Sequence, residues 1–263
     1  MTGGGKWGDL GTRLASGVIL AGIGLGAIWA GGIWFAALAL VCASVMVWEL
    51  AAMQEPSRQT EAKALAVSGG VAMAAAFILP GPMALVPLLL PGAVVLILPR
   101  CDRLIFAAYG SAILIASFGL VWFREHHGML WLGWLVAVIA ATDISGYFAG
   151  RLIGGPKFWP RVSPKKTWAG IIAGWIGAAA VGYAFLSFTT AGRDLPSLSA
   201  ALAFASQMGD VAESAIKRHV GVKDSSRLIP GHGGLMDRFD ALLGGALFML
   251  VLSLFVVVPV VRV

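Results

Sequence analysis

From Gly209 to Asp240 the sequence sets Asp210, Glu213, Asp224, Asp237 and Asp240 among Lys217, Arg218, Lys223, Arg227 and Arg238. Five of the thirteen acidic residues of the chain fall in this one stretch. Apolar sequence precedes it, and one more apolar run follows. A solvated loop does not need acids, bases, two histidines and a Pro-Gly-His-Gly-Gly turn in one place. A site that handles phosphates and metal ions does.

Two acidic pairs stand out. Asp210, Glu213, Ser214 and Lys217 follow i, i+3, i+4, i+7 spacing, which puts all four on one face of a helix. Acids in an apolar segment are costly in hydrocarbon and face a cavity, a partner or an ion. An intrahelical Glu213–Lys217 ion pair is the plainer alternative, and it leaves Asp210 unexplained. Asp237 and Asp240 are three apart at the start of the last apolar run. Helix capping is the plainer alternative for Asp237. The two pairs together would make a hard oxygen site of the kind Mg²⁺ prefers. With two cysteines and four histidines in the chain, a zinc site is not expected.

Between the pairs, Pro230-Gly231-His232-Gly233-Gly234 allows a sharp turn and close backbone approach to an anion before a helix start. Framed by Lys217, Arg218, Lys223 and Arg227, it is a candidate phosphate cradle, with His232 as phosphate ligand or acid–base group. His219 is read as an interfacial residue.

A third constellation runs through Thr142, Asp143, Ser145 and Tyr147 to Arg151 and Lys157. It ends in Ser163-Pro164-Lys165-Lys166-Thr167, hydroxyls and ammonium groups at a helix start, also suited to phosphate. Those lysines could simply mark the cytoplasmic side of a membrane, but that does not explain an intramembrane acid at Asp143.

The elements that must position these residues are membrane helices. Of 263 residues, 59% are hydrophobic and 12% charged, too few polar groups to cover a soluble fold. The fold expected is all-α: a polytopic integral membrane protein with about nine transmembrane helices. These fall near 14–30, 33–53, 64–80, 82–98, 104–123, 129–149, 168–189, 197–216 and 241–260. The third and fourth carry Pro80, Pro82, Pro87 and Pro91. The apolar run after Lys6 and Arg13 is read as a retained helix, not a cleaved signal. Basic residues gather in the even-numbered connections, which puts these and the N-terminus in the cytoplasm and the C-terminus outside. The net charge of +6 therefore reads as topology, with no nucleic-acid partner.

Residues 1–128 are expected to form N-terminal helices, a peripheral or oligomerising layer without visible chemistry. Residues 129–263 form the catalytic region, with cytoplasmic loops at 150–167 and 217–240. Gly170, Gly174, Ala178 and Gly182 recur every four residues, as do Gly146, Gly150 and Gly154, a pattern that permits close helix packing. Cys42 and Cys101 are read as free thiols.

The run Ser214-x-Ile216-Lys217-Arg218, Lys223-Asp224-x-Ser226 and Ile229-Pro230-x-His232-Gly233-Gly234-Leu235-x-Asp237-Arg238-Phe239-Asp240 resembles the signature of the phosphatidate cytidylyltransferase family. Gly209-Asp210 and the Asp143–Thr167 region are similar to that family too. The resemblance covers the C-terminal half; the first ~130 residues share only a hydrophobic, polytopic character. It implies an enzyme that converts phosphatidic acid and CTP to CDP-diacylglycerol and pyrophosphate, and the size and short N-terminus of the chain lead to the expectation of a bacterial-type inner membrane. The resemblance also implies a homodimer and a divalent cation, Mg²⁺, in a paired-metal site that can include K⁺. Carried onto this chain, the metal ligands are Asp210, Asp237 and Asp240. Ser214, Lys217, Asp224 and His232 would be catalytic. Asp143, Ser163, Lys165, Lys166, Thr167, Arg218, Lys223 and Arg238 would bind substrate.

Two rival readings differ in class. A transporter for an anionic solute would also use intramembrane acids and broken helices, but no inverted repeat is visible. A scaffold that binds acidic lipids needs the bases but gains nothing from Asp210, Asp237 and Asp240.

Overall fold

The computed structural model describes residues 6–255. Helices α1 (Lys6–Ala30), α2 (Gly32–Gln54) and α3 (Gln59–Ile78) lead to a 3₁₀ turn (Gly81–Ala84) and α4 (Leu85–Ile97). Next come α5 (Arg103–Leu152), strands β1 (Lys157–Trp159) and β2 (Ser163–Thr167), then α6 (Trp168–Leu186), α7 (Leu195–Val220) and α8 (Met236–Leu252). α5 is helical on either side of Gly128, whose φ of 84° and ψ of 175° break it between the fifth and sixth apolar stretches. Helix thus overlies most of each expected stretch; α8 ends at Leu252, and 256–260 lie outside the described residues.

Among the described residues, α2, α3, α5 and α6 are long and apolar enough to cross a membrane. Ala15–Ala30 and Gly81–Ile97 are apolar but shorter. Large side chains such as Trp29, Ile33, Trp34, Ile78 and Ile97 are exposed, a surface that suits lipid. The chain is a membrane protein.

It divides into two compact units. The first comprises Met1–Val121 and Val220–Phe239, the second Trp122–His219 and Asp240–Val263. In the first unit, Met46, Leu50, Met73, Leu88, Phe106 and Leu114 are fully enclosed. The Arg100 side chain is buried as well, donating to Glu61 at 2.8 Å and to the Ala51 carbonyl at 3.0 Å. A buried cation needs such partners, because without them its desolvation is uncompensated.

The second unit is held by small residues. Gly170, Gly174, Ala178 and Gly182 are all buried on α6, the face their four-residue spacing predicts. A Cβ on Gly170 would meet the Gly146 carbonyl at 2.7 Å, and one on Gly174 would meet Gln207 at 2.7 Å. At Gly182 it would collide with the Ser199 hydroxyl and lie 2.8 Å from the Leu195 carbonyl and Pro196 Cα. Backbone cannot step aside as a side chain can. Gly182→Val is therefore expected to lower unfolding stability in detergent by about 1–3 kcal/mol. Gly192→Val, where a Cβ meets nothing, serves as the control and should change it by less than ~0.5 kcal/mol. Equal thermal shifts for the two would remove this account of helix packing.

The 150–167 connection is not a plain loop. β1 and β2 pair antiparallel, with Lys157 opposite Thr167 and Trp159 opposite Ser163. Ser163, Lys165 and Lys166 therefore ride on a strand, and only Thr167 meets the helix-start expectation. Its Oγ1 accepts from Gly170 N at 3.2 Å and caps α6.

Candidate active site

In the second unit, α5, β2, α6 and α7 enclose a cavity of about 560 Å³. Asp143, Tyr147 and Arg151 line it from α5, Lys165, Lys166 and Thr167 from β2, and Gln207 and Asp210 from α7. Gly146, Gly150 and Gly170 also line it; without side chains they leave room where the helices approach. Arg151 donates to the Tyr147 hydroxyl at 2.8 Å, one turn away. The volume lies in the range of ordinary small-molecule sites.

Lys166 is the pivot of this cavity. Its Nζ lies 2.6 Å from Asp210 Oδ2 and donates to the Gln207 carbonyl at 3.3 Å. The hairpin thereby delivers an ammonium group to α7. Gln207 is itself fixed, its Oε1 accepting from Trp175 Nε1 at 2.9 Å and its Nε2 donating to the Ile171 carbonyl at 3.3 Å.

Asp210 also belongs to a carboxylate group. Oxygens of Asp210, Glu213 and Asp240 all lie within 4.8 Å of one another. Ser214 Oγ donates to Asp210 Oδ1 at 3.2 Å, and Lys217 Nζ pairs with Glu213 Oε2 at 3.0 Å. The close approach of α7 and α8 explains the juxtaposition. A Cβ on Gly209 would collide with the Asp240 carbonyl, and one on Gly244 would lie 2.9 Å from Gly209. Carboxylates this near repel unless a cation or protons intervene. Three hard oxygen donors suit a divalent cation of the Mg²⁺ class, so these residues fit the metal that the signature implies.

The glycine loop lies in the first unit. Gly231 and Gly233 have φ of 75° and 87°, conformations that favour glycine. A tight turn closes through Ile229 N to the Gly233 carbonyl at 2.8 Å. Asp237 Oδ2 accepts from Ser225 N at 2.9 Å, Ser225 Oγ at 3.0 Å and Gly234 N at 2.8 Å. His232 Nδ1 lies 2.8 Å from Ser16 Oγ on α1. Arg238 donates to the His232 carbonyl through Nε at 3.1 Å and a terminal nitrogen at 2.6 Å.

The residues singled out by sequence are thus sorted by the fold. Asp143, Lys165, Lys166, Thr167 and Asp210 share the cavity. Asp240 joins Asp210, and the third acid of that cluster is Glu213, whereas Asp237 is engaged with its own loop. The Glu213–Lys217 pair is present as the plainer reading had it. Arg218, Lys223 and Asp224 are exposed, and Ser163 is half-buried on β2.

Sequence reasoning missed Gln207, Trp175 and, above all, Glu49. Glu49 lies on α2, in the part of the chain read as carrying no chemistry. It is fully buried and accepts from Ser226 Oγ at 2.6 Å, Met236 N at 2.7 Å and Leu235 N at 2.8 Å, with Ser225 Oγ at 3.4 Å. A lone acid inside an apolar run was the one available signal.

The family described as the cytidylyltransferase family matches residues 11–256. A protein of Brucella abortus named phosphatidate cytidylyltransferase is 48% identical over 124 residues, 46% of each chain. Haemophilus influenzae has one of the same name, 42% identical over 124 residues, covering 44% of this chain and 43% of that protein. A third, from Staphylococcus saprophyticus, is 37% identical over 152 residues, 57% of this chain and 56% of the relative. The chain spans about half the length of the curated relatives it matches.

Proposed function

The chain belongs to the cytidylyltransferase family, and from that premise we propose that it is a phosphatidate cytidylyltransferase, joining CTP and phosphatidic acid to give CDP-diacylglycerol and pyrophosphate. The observation that carries this reading is the cavity in which Arg151, Lys165 and Lys166 meet Asp210 of a three-carboxylate cluster. Cations suited to phosphates adjoin acids suited to a cation, as nucleotidyl transfer requires.

In the reaction an oxygen of the lipid phosphate attacks the α-phosphorus of CTP. A new P–O bond forms to the lipid, the bond to the bridging oxygen of the β-phosphate breaks, and pyrophosphate leaves. The nucleophile is an anion at neutral pH, so no strong general base is needed. Asp210, Glu213 and Asp240 would hold Mg²⁺, with K⁺ as a candidate second cation, and the metal would neutralise charge on the phosphoryl oxygens. Lys165, Lys166 and Arg151 bind phosphate oxygens by charge-assisted hydrogen bonds. Ser163 and Thr167 stand on the same strand as those lysines. Asp143 is an acceptor in the cavity wall for a hydroxyl or amino donor of the nucleotide. Ser214 and Lys217 hold the carboxylates of Asp210 and Glu213 in place. Arg218 on α7 and Lys223 on the loop bind anionic substrate, Asp224 and His232 orient phosphate, metal or neighbouring side chains, and Arg238 and Asp237 fix the shape of the loop.

The same reading makes the chain a nine-span protein of the inner membrane and a homodimer. The N-terminus and the 150–167 and 217–240 segments lie on the cytoplasmic face, where CTP is available. Purified protein in detergent, given phosphatidic acid, CTP and Mg²⁺, is expected to release pyrophosphate only when the lipid is present. EDTA should abolish the release and excess Mg²⁺ restore it. Release that ignores EDTA would remove the metal from the proposal; folded protein without release would return the transporter reading.

A further inference from the structure

The fully buried carboxylate of Glu49 serves no step described above, yet it holds the signature loop at both ends. Oε1 takes Ser226 Oγ at 2.6 Å and Leu235 N at 2.8 Å; Oε2 takes Met236 N at 2.7 Å and Ser225 Oγ at 3.4 Å. Ser225 and Ser226 follow Asp224, and Leu235 and Met236 open α8, so one side chain from α2 spans the whole glycine turn. The first amides of a helix lack partners within it. Here a residue 187 positions away satisfies the Met236 amide.

The fit is close on a second side. A Cβ on Gly234 would collide with Ser225 Oγ and lie 2.5 Å from Glu49 Oε1. Ser225 Oγ and the carboxylate together therefore leave no room for a side chain at Gly234. The donor pattern also requires a carboxylate and not an amide. Each oxygen receives one backbone N–H, and an N–H cannot reverse as a hydroxyl can. Glutamine has a single acceptor oxygen, so either orientation of its amide sets an NH₂ against Leu235 N or Met236 N.

We propose that Glu49 is a positioning residue of the transfer reaction, holding the 223–236 loop in the form that lets Lys223, Asp224 and His232 act on anionic substrate. The proposal rests on the cytidylyltransferase reading of the site, but the loop geometry it invokes can be measured without any turnover. Glu49 itself is fully buried. It acts by removing the freedom of a loop whose Gly231 and Gly233 would otherwise leave it many conformations.

The test uses full-length protein in detergent and the variants Glu49→Gln, Gly234→Ala and Ser226→Ala. Hydrogen exchange is followed over residues 223–236 beside kcat and the KM for each substrate. Glu49→Gln is expected to speed exchange of the Leu235 and Met236 amides at least tenfold. It should lower kcat about 100-fold while the KM for phosphatidic acid stays within about twofold. Gly234→Ala, which displaces the carboxylate from the other side, should reproduce both changes. Ser226→Ala, which removes one donor and keeps the charge, should show smaller changes, about threefold in exchange and about tenfold in kcat. Exchange and kcat unchanged in folded Glu49→Gln protein would overturn the proposal. So would faster exchange with kcat intact. If Glu49→Gln fails to fold, Gly234→Ala and Ser226→Ala decide by the same two readouts. Faster loop exchange in protein whose wild type makes no CDP-diacylglycerol would keep the Glu49 contact, remove its catalytic purpose and overturn the functional reading with it.

Discussion

Asp210→Asn is expected to lower the rate of cytidylyl transfer about 10³-fold, an effect of about 4 kcal/mol on the barrier. Asn keeps the volume of Asp and can still accept the Ser214 hydroxyl at its present 3.2 Å. Two things go with the charge: the anionic partner of Lys166 at 2.6 Å and one of three carboxylates that face a common point. Stability should change little, because removing one acid from a crowded group relieves repulsion while it costs an ion pair. The measurement is kcat for lipid-dependent pyrophosphate release together with the melting temperature in detergent. Activity within tenfold of wild type would exclude Asp210 as a ligand of the proposed metal. A large fall in melting temperature would make its role structural.

The second large effect is expected at Lys166. Replacement by Met keeps the length of the side chain and removes its ammonium group, which bridges the hairpin and α7. We expect kcat/KM for CTP to fall about 10²–10³-fold, the size of effect seen when one preorganised donor to a developing negative charge is removed. Lys166→Arg should recover little, because a planar fork does not occupy the position of a point charge held at 2.6 Å. Lys165, the exposed neighbour on the same strand, is the comparison. Its charge is screened, so Lys165→Met should cost about tenfold and less at high salt. Equal losses at the two positions would mean that the hairpin contributes only diffuse positive charge.

What the sequence made legible, it did through short-range periodicity. The i, i+4 pairing of Asp210 with Ser214 and of Glu213 with Lys217 is present at 3.2 Å and 3.0 Å, because helical spacing alone dictates it. The glycine face of α6 followed from the same arithmetic. Where partners are distant in sequence, the reading had nothing to count. Glu49 meets Ser225 across 176 positions, and a single acid in α2 has no period. The mutual approach of Asp210 and Asp240 depends on Gly209 and Gly244 letting two backbones touch, and neither glycine carries a spacing signal. The hairpin was hidden because β1 and β2 span three and five residues around Pro160, too short for strand alternation to show. Asp237 Oδ2 accepts three bonds from its own loop, contacts that its three-residue spacing to Asp240 did not reveal.

The most direct measurement follows the two ends of the nucleotide through one turnover. Purified protein is given phosphatidic acid, Mg²⁺ and CTP labelled at either the α- or the γ-phosphorus, and the products are separated. The account predicts α-label in the lipid fraction as CDP-diacylglycerol and γ-label in pyrophosphate, in equal amounts. Label passing from the γ-phosphorus to the lipid, with CDP as the other product, would contradict it and make the protein a lipid kinase.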